Sequence, residues 1–253
     1  DLRRGGEATG SVLPSGWREA KKFLKEIDPT ERRKYYSTKE FITVDQIQTW
    51  KSFAEVEKLK NPESKYKKDD ILNGKVSLFQ GDITKLEIDA IVNAANSSLL
   101  GGGGVDGSIH GAAGGLLRDE CSTLGGCNTG DAKISSGYCL PAKYVIHTVG
   151  PSVGDTGNLP RDQLLSCYRK SLKTAKDNDL RTIAFPCIST GVYGYPNKPA
   201  ADVALGAVRQ FLEENRNSFD RVIFCVFLEV DGALYKEKMS FYFPHGPGTQ
   251  SKL

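Results

Sequence analysis

Ile91-Val92-Asn93-Ala94-Ala95-Asn96-Ser97-Ser98-Leu99-Leu100-Gly101-Gly102-Gly103-Gly104-Val105-Asp106-Gly107 is the stretch on which the reading of this chain turns. An apolar, β-prone start leads into two asparagines, four consecutive glycines and one carboxylate. Behind it, residues 108–120 continue with helical spacing. Glycines let backbone N–H groups approach a ligand with no Cβ in the way. A helix that begins just beyond them adds the positive end of its dipole. The combination suits a phosphate. A carboxylate repels phosphate, so Asp106 must face something else in such a pocket, either a ribose hydroxyl or a water. A flexible linker, the ordinary meaning of a glycine run, fits badly between a strand and a helix.

Working outward, short apolar runs alternate with longer periodic ones from Lys75 onward. Strands are predicted at 76–79, 90–92, 132–138, 144–149, 182–188 and 222–228. Helices are predicted at 105–121, 161–177 and 200–214, with Asp231 capping a last one that runs to 239. This alternation predicts a layered α/β domain whose ligand lies beyond the strand C-termini. Four parts follow from it. Residues 1–16 are Gly/Ser/Pro-rich and read as disordered. Residues 17–70 read as a helical N-terminal extension, with helices at 17–25, from Pro29, and at 45–53. Residues 71–242 form the main domain, and 243–253 read as a flexible tail.

Composition narrows the classes. Residues 1–70 hold sixteen Lys/Arg against thirteen Asp/Glu, and residues 71–253 hold eighteen of each. The part carrying the glycines is neutral, which argues against a nucleic-acid-binding face. No apolar run approaches the roughly 20 residues of a membrane span. Cys121, Cys127, Cys139, Cys167, Cys187 and Cys225 form no C-x-x-C pair and read as buried free thiols of a reducing compartment. With His110, His147 and His245 as the only histidines, no His/Cys cluster is expected and no metal. The expected location is intracellular (cytoplasm, nucleus or mitochondrion), and the terminal Ser251-Lys252-Leu253 matches a peroxisomal address.

Four segments that follow predicted strands could carry chemistry: Gln80-Gly81-Asp82-Ile83-Thr84, the Asn/Gly stretch, Pro186-Cys187-Ile188-Ser189-Thr190-Gly191-Val192-Tyr193-Gly194-Tyr195-Pro196, and Cys225-Val226-Phe227-Leu228-Glu229. Together they supply what a nucleoside diphosphate sugar needs. Residues 101–104 and 189–194 can grip a diphosphate from two sides. Asp82 can accept from an exocyclic amine, and Phe227 offers a stacking face. Asn96 and Asp106 can bind sugar hydroxyls. His110 follows Asp106 by four residues, shares its helix face and is a candidate base. Taken singly, Asp82 serves equally well as a turn cap, while Phe227 and His110 are more often core residues. Cys187 reads as a core thiol and His147 as a satisfied core histidine. Gly102-x-Gly104-x-x-Gly107 also fits the dinucleotide fingerprint. The acid expected about 20 residues on is missing, which leaves a nicotinamide-dependent oxidoreductase as a remote alternative.

Val92-Asn93-Ala94-Ala95-Asn96, the run from Gly101 to Gly107 and the run from Ile188 to Gly194 closely resemble the macrodomain family. With Leu140-Pro141-Ala142-Lys143-Tyr144-Val145-Ile146-His147-Thr148-Val149-Gly150-Pro151 and the Cys225 segment, the likeness is to its MacroD subfamily. It covers about 75–242, and the arm at 17–68 is similar to that subfamily's helical extension. The resemblance implies a three-layer α/β/α macrodomain with a central mixed sheet. It implies binding of ADP-ribose, removal of mono-ADP-ribose from acidic side chains of proteins, and deacetylation of O-acetyl-ADP-ribose, with no cofactor and no metal. Carried over, Gly81, Asp82 and Ile83 hold the adenine and Phe227 stacks on it. Asn96 binds the distal ribose, and Ala94 and Ala95 belong to the substrate-binding set. Gly101, Gly102, Gly103, Gly104 and Val105 wrap the diphosphate and distal ribose together with Ile188, Ser189, Thr190, Gly191, Val192, Tyr193 and Gly194. Asp106 stands where the bond breaks, with Asn93, Asn96 and His110 completing the catalytic set. The implied partners are ADP-ribose, O-acetyl-ADP-ribose and ADP-ribosylated proteins, for a monomer with no nucleic-acid or membrane partner. The alternative is a non-catalytic reader of ADP-ribosylated proteins. One neighbourhood departs from the family, which usually reads Cys-Ile-His-Arg-Ala-Ala-Gly-Pro where this chain has Ser108-Ile109-His110-Gly111-Ala112-Ala113-Gly114-Gly115. Gly111 and Gly115 are expected to loosen that helix.

Overall fold

β-Branched and apolar runs build the centre of the molecule. In the computed structural model, which describes residues 11–154 and 157–246, six strands form one sheet: β2 (Val76–Gln80), β4 (Ala90–Ala95), β5 (Ala132–Ser136), β6 (Tyr144–Val149), β7 (Thr182–Phe185) and β8 (Arg221–Val226). Their order is β2-β8-β7-β4-β6-β5, with only the edge strand β5 antiparallel. Alternation along β4 sends Ala90 and Val92 into one core and Ile91 and Ala95 into the other. The first core is covered by α7 (Arg161–Asp177), α8 (Asn197–Glu214) and α9 (Glu229–Tyr242). The second is covered by α5 (Gly104–Ala113) and α6 (Gly115–Cys121). The result is the expected three-layer α/β/α domain with a mixed sheet.

The N-terminal arm reaches both faces. Its helix α1 (Trp17–Glu26) packs on α6 and buries Ala20 and Leu24 in the second core. After the single turn α2 (Pro29–Arg32), the buried Arg32 donates to the carbonyls of Leu140, Pro141 and Ala142. The two-residue strand β1 (Ile42–Thr43) pairs with β3 (Leu86–Glu87) of the main domain. Helix α3 (Trp50–Val56) then delivers Trp50 to the first core, where its indole donates to the Phe243 carbonyl at 2.9 Å. A further turn, α4 (Asp70–Asn73), leads into β2.

Several expectations are corrected. The helix predicted over 105–121 is two helices, because Gly114 takes φ +86°, ψ 174°, a conformation closed to residues with a Cβ. The predicted strands 182–188 and 222–228 stop at Phe185 and Val226, where the chain turns into loops. Asp231 does not cap the last helix. Leu228 takes that position, and Asp231 accepts from Asn197 Nδ2 at 2.6 Å, tying α9 to α8. The predicted helix 45–53 is a 3₁₀ turn at Val44–Gln46 followed by α3. The flexible-tail reading fails for 243–246: Phe243 and His245 are buried, and Pro244 accepts from Asn73 Nδ2. Residues 247–253, with the Ser-Lys-Leu address, and residues 1–10 lie outside the described residues.

Candidate active site

Parallel strands put their C-terminal ends on one rim. All four chemistry-bearing segments leave that rim, after β2, β4, β7 and β8. The connections also switch sides there. The chain leaves β4 through α5 and α6 over one face and returns by β6 and α7 over the other, so β6 and β7 flank β4. Such a switch opens a crevice at the strand ends. Contacts between the segments close it. Gly81 N–H donates to the Val226 carbonyl at 2.9 Å. The loop after β6 joins in, with Val153 N–H donating to the Tyr193 carbonyl at 2.8 Å.

The glycine run shapes the reactive end. Gly101 adopts φ +95° with its bare Cα against the His110 ring. A Cβ on Gly102 would lie 2.9 Å from Asp106 Oδ2 and 3.3 Å from Asn96 Nδ2, so only hydrogen fits over these polar atoms. Side chains at Gly103 and Gly104 would meet open space, and Gly103 is the N-cap of α5. The first N–H groups of α5 have no partner within the helix and are available to an anion. Asn96 folds back on its own loop, donating to the Gly101 carbonyl at 2.9 Å and accepting from Ser98. Opposite, Ser189 holds φ +65° with its hydroxyl buried and without a partner, and a Cβ on Gly150 would lie 2.1 Å from that hydroxyl. A non-glycine residue in the left-handed region is strained, and an orphaned hydroxyl beside it is a group still to be satisfied.

Asp106, on the first turn of α5, is only 4% exposed. Its Oδ1 accepts from Asn93 Nδ2 at 2.9 Å, and no described residue donates to Oδ2. His110 Nε2 lies 3.5 Å from Asp106 Oδ1 and has no hydrogen-bond partner. Burial lowers the His110 pKa; the Asp106 charge opposes this and Arg118 adds to it, so the ring is neutral at pH 7. Behind them, the β4–β6 register sets His147 beside Asn93. His147 is fully buried, with Nδ1 3.1 Å from Asn93 Nδ2, and Nε2 2.8 Å from Ser135 Oγ and 3.5 Å from Cys121 Sγ.

This corrects one sequence expectation. A His/Cys cluster does exist, since His110, Cys121 and His147 bring ligand-type atoms within 4.8 Å of one another. The donor set fits a cation poorly. Both ring nitrogens of His147 have protein partners, and burial pushes the Cys121 thiol up to about 12, so it stays protonated.

At the other end of the rim, Asp82 accepts from Thr84 N–H at 2.9 Å and Thr84 Oγ1 at 2.7 Å, both on Oδ1. It is therefore a turn cap, as one reading had it, and also exposed at the mouth. Phe227 is 76% exposed, so the core reading weighed against its stacking role does not hold. Val192 projects fully from the 189–194 loop. Ile83, Ala95 and Ile188 are buried in the two cores, so they can offer a ligand only main-chain groups. Cys187 is a half-buried thiol raised to about 12 by burial. Sequence reasoning missed Gly150 and Val153, although the Val149-Gly150-Pro151 bend directly after a buried strand marks them. A cleft of about 500 Å³ lined by Lys65, Tyr66, Asp69, Arg209 and Arg216 lies at the far end of α8, and its arginines are paired with Glu213 and Asp69.

Known proteins share this fold. A family model described as "Macro domain" matches residues 92–204. The chain is 57% identical to mouse ADP-ribose glycohydrolase MACROD1 over 229 residues, which is 90% of this chain and 71% of that protein. It is 55% identical to ADP-ribose glycohydrolase MACROD2 of Xenopus laevis over 241 residues, 93% of this chain and 57% of that one. Among solved structures, the Trypanosoma brucei macrodomain in complex with ADP-ribose superposes with a TM-score of 0.74 at 39% identity, covering 91% and 93% of the two chains. Sequence and fold agree: this chain belongs to the macrodomain family.

Proposed function

We propose that the protein is a hydrolase that binds ADP-ribose along the rim and releases it from carboxylate esters, either mono-ADP-ribosylated Asp/Glu side chains or O-acetyl-ADP-ribose. The observation that carries this reading is the state of Asp106. One oxygen is held by Asn93, and the other is free beneath Gly102 at the mouth of an anion-binding turn. A reader could use that carboxylate only to hold a ribose hydroxyl, whereas its free oxygen can also hold and polarise a water, which supports hydrolysis.

The ligand is laid out by chemistry. Adenine stacks on the exposed Phe227 and offers its amine to Asp82. The diphosphate crosses residues 101–105 and 189–194, where N–H groups neutralise it. The distal ribose then reaches Asn96 and Asp106. Water adds across the ester: its hydroxyl joins one carbon of the C–O bond, its proton goes to the departing oxygen, and ADP-ribose and a free carboxylic acid result. Asp106 Oδ2 holds and polarises that water, with the neutral His110 ring beside it as a second acceptor. Positioning supplies the rest, because the ester is already activated. Mouse MACROD1 and Xenopus MACROD2 are named ADP-ribose glycohydrolases, which supports the same activity here.

The test is release of label from a glutamate-ADP-ribosylated protein. Asp106→Ala is expected to lose about 100-fold or more in turnover while calorimetric ADP-ribose binding survives. No label release by the unaltered protein, with binding intact, would make it a reader instead.

A further inference from the structure

The hydrogen-bond chain behind Asp106 has a direction. An ionised carboxylate only accepts, so the Asn93 amide must turn its nitrogen toward Asp106 Oδ1, 2.9 Å away. The second hydrogen of that nitrogen points at His147 Nδ1, 3.1 Å away, which must therefore be unprotonated. The ring proton is then on Nε2 and is donated to Ser135 Oγ at 2.8 Å, whose own hydrogen goes to the Ser136 carbonyl at 3.1 Å. In that arrangement the Asn93, His147 and Ser135 donors each meet an acceptor, and Cys121 Sγ, 3.5 Å from Nε2, is the longer and weaker contact at that nitrogen. Apart from Asp106 itself, His147 is the one group among the described residues that holds the amide, because Asn93 Oδ1 is buried without a partner. With the ring proton on Nδ1 instead, the amide would flip and set its oxygen against the carboxylate.

We propose that His147 is a positioning residue for the hydrolysis: by accepting from Asn93 it fixes the amide that orients Asp106, and Ser135 selects the ring tautomer that does so. The inference rests on Asp106 acting in the reaction as proposed above. It extends the functional constellation one layer into the sheet, through Asn93 and His147 as register partners on β4 and β6 and through Ser135 on β5. His147 is fully buried behind Asn93 and does not open onto the rim. Its loss therefore acts on the chemical step rather than on binding.

Three variants and one spectrum test this. His147→Leu removes the acceptor and is expected to lower kcat about tenfold or more, with KM and the ADP-ribose Kd within about twofold. His147→Asn can place an amide oxygen where Nδ1 stood and is expected to restore kcat to within about threefold. Ser135→Ala releases the tautomer and is expected to lower kcat several-fold with KM unchanged. In the unaltered protein, nitrogen–proton correlations of the imidazole are expected to put the neutral ring's proton on Nε2. A proton on Nδ1, or a folded His147→Leu enzyme with undiminished kcat, overturns the proposal, and the spectrum decides it even where a variant does not fold. Failure of the hydrolase reading is distinguishable, because Asp106→Ala would then match the unaltered enzyme.

Discussion

At the scale of residues, the site is made by what is missing as much as by what is present. Gly102 and Gly150 leave room for Asp106 and Ser189, and a methyl group at either would displace a polar atom of those side chains. Phe227 carries the opposite lesson. In sequence it is one apolar residue among Cys225, Val226 and Leu228. The strand ends at Val226, whose carbonyl is taken by Gly81, and Phe227 turns out to the rim. Since it is 76% exposed, it stabilises little by burial. Phe227→Ala is expected to weaken ADP-ribose by about 1–3 kcal/mol, the usual worth of a base stacked on an aromatic ring, and to leave the melting temperature unchanged. Titration calorimetry beside a thermal melt checks both. His147 was legible as a buried, satisfied histidine. Its part behind Asp106 was not, because that depends on a register between strands 54 residues apart in sequence.

At the scale of elements, the helix bearing Asp106 shows where sequence patterns succeed and fail. Residues 144–149 and 161–177 were readable to the residue because their apolar periodicity is unbroken. Beyond Gly107, the run after Asp106 holds Gly111, Gly114 and Gly115, and nothing in the sequence says which of these three the chain bends at. The bend is at Gly114, since its positive φ lets α6 turn away and keep Leu117 and Cys121 in the core. The three glycines therefore differ in worth. Gly111 has helical backbone and open space around it. Gly111→Ala is expected to stabilise by about 0.5–1 kcal/mol. Gly114→Ala is expected to destabilise by about 1–3 kcal/mol. Urea unfolding midpoints of the two variants should thus move in opposite directions. Strand β1 and the docked residues 243–246 were not legible for a related reason: their partners Leu86, Trp50 and Asn73 are set by the finished fold, not by local pattern.

At the scale of the whole molecule, the arm and the domain act as one body. Lys21 of α1 pairs at 2.6 Å with Glu120, a buried carboxylate of α6 that also accepts from Ser136 N–H and Tyr138 Oη at 2.8 Å each. Ser37 donates to the Ala112 carbonyl at 2.6 Å, so the arm braces the last turn of the helix that carries Asp106. The three histidines give the folded protein a pH dependence of definite sign. Burial lowers the pKa of His110 and His245 below 6.5 and that of His147 to about 3. The unfolded chain therefore binds more protons than the folded one as pH falls below 6.5, and stability falls with it. For His147 alone the loss at pH 5.5 is on the order of 1 kcal/mol relative to neutral pH. Urea denaturation at pH 7.5 and 5.5 should show this decline, and a stability that rises on acidification would contradict it.

The central claim is that four loops at one sheet rim form a single nucleotide site ending at Asp106, and a crystal structure of this chain soaked with ADP-ribose tests it most directly. The account predicts adenine on Phe227, diphosphate between residues 101–105 and 189–194, and the distal ribose within hydrogen-bond reach of Asp106 Oδ2. An empty rim at saturating nucleotide, or a nucleotide bound with its distal ribose turned away from Asp106, would contradict it.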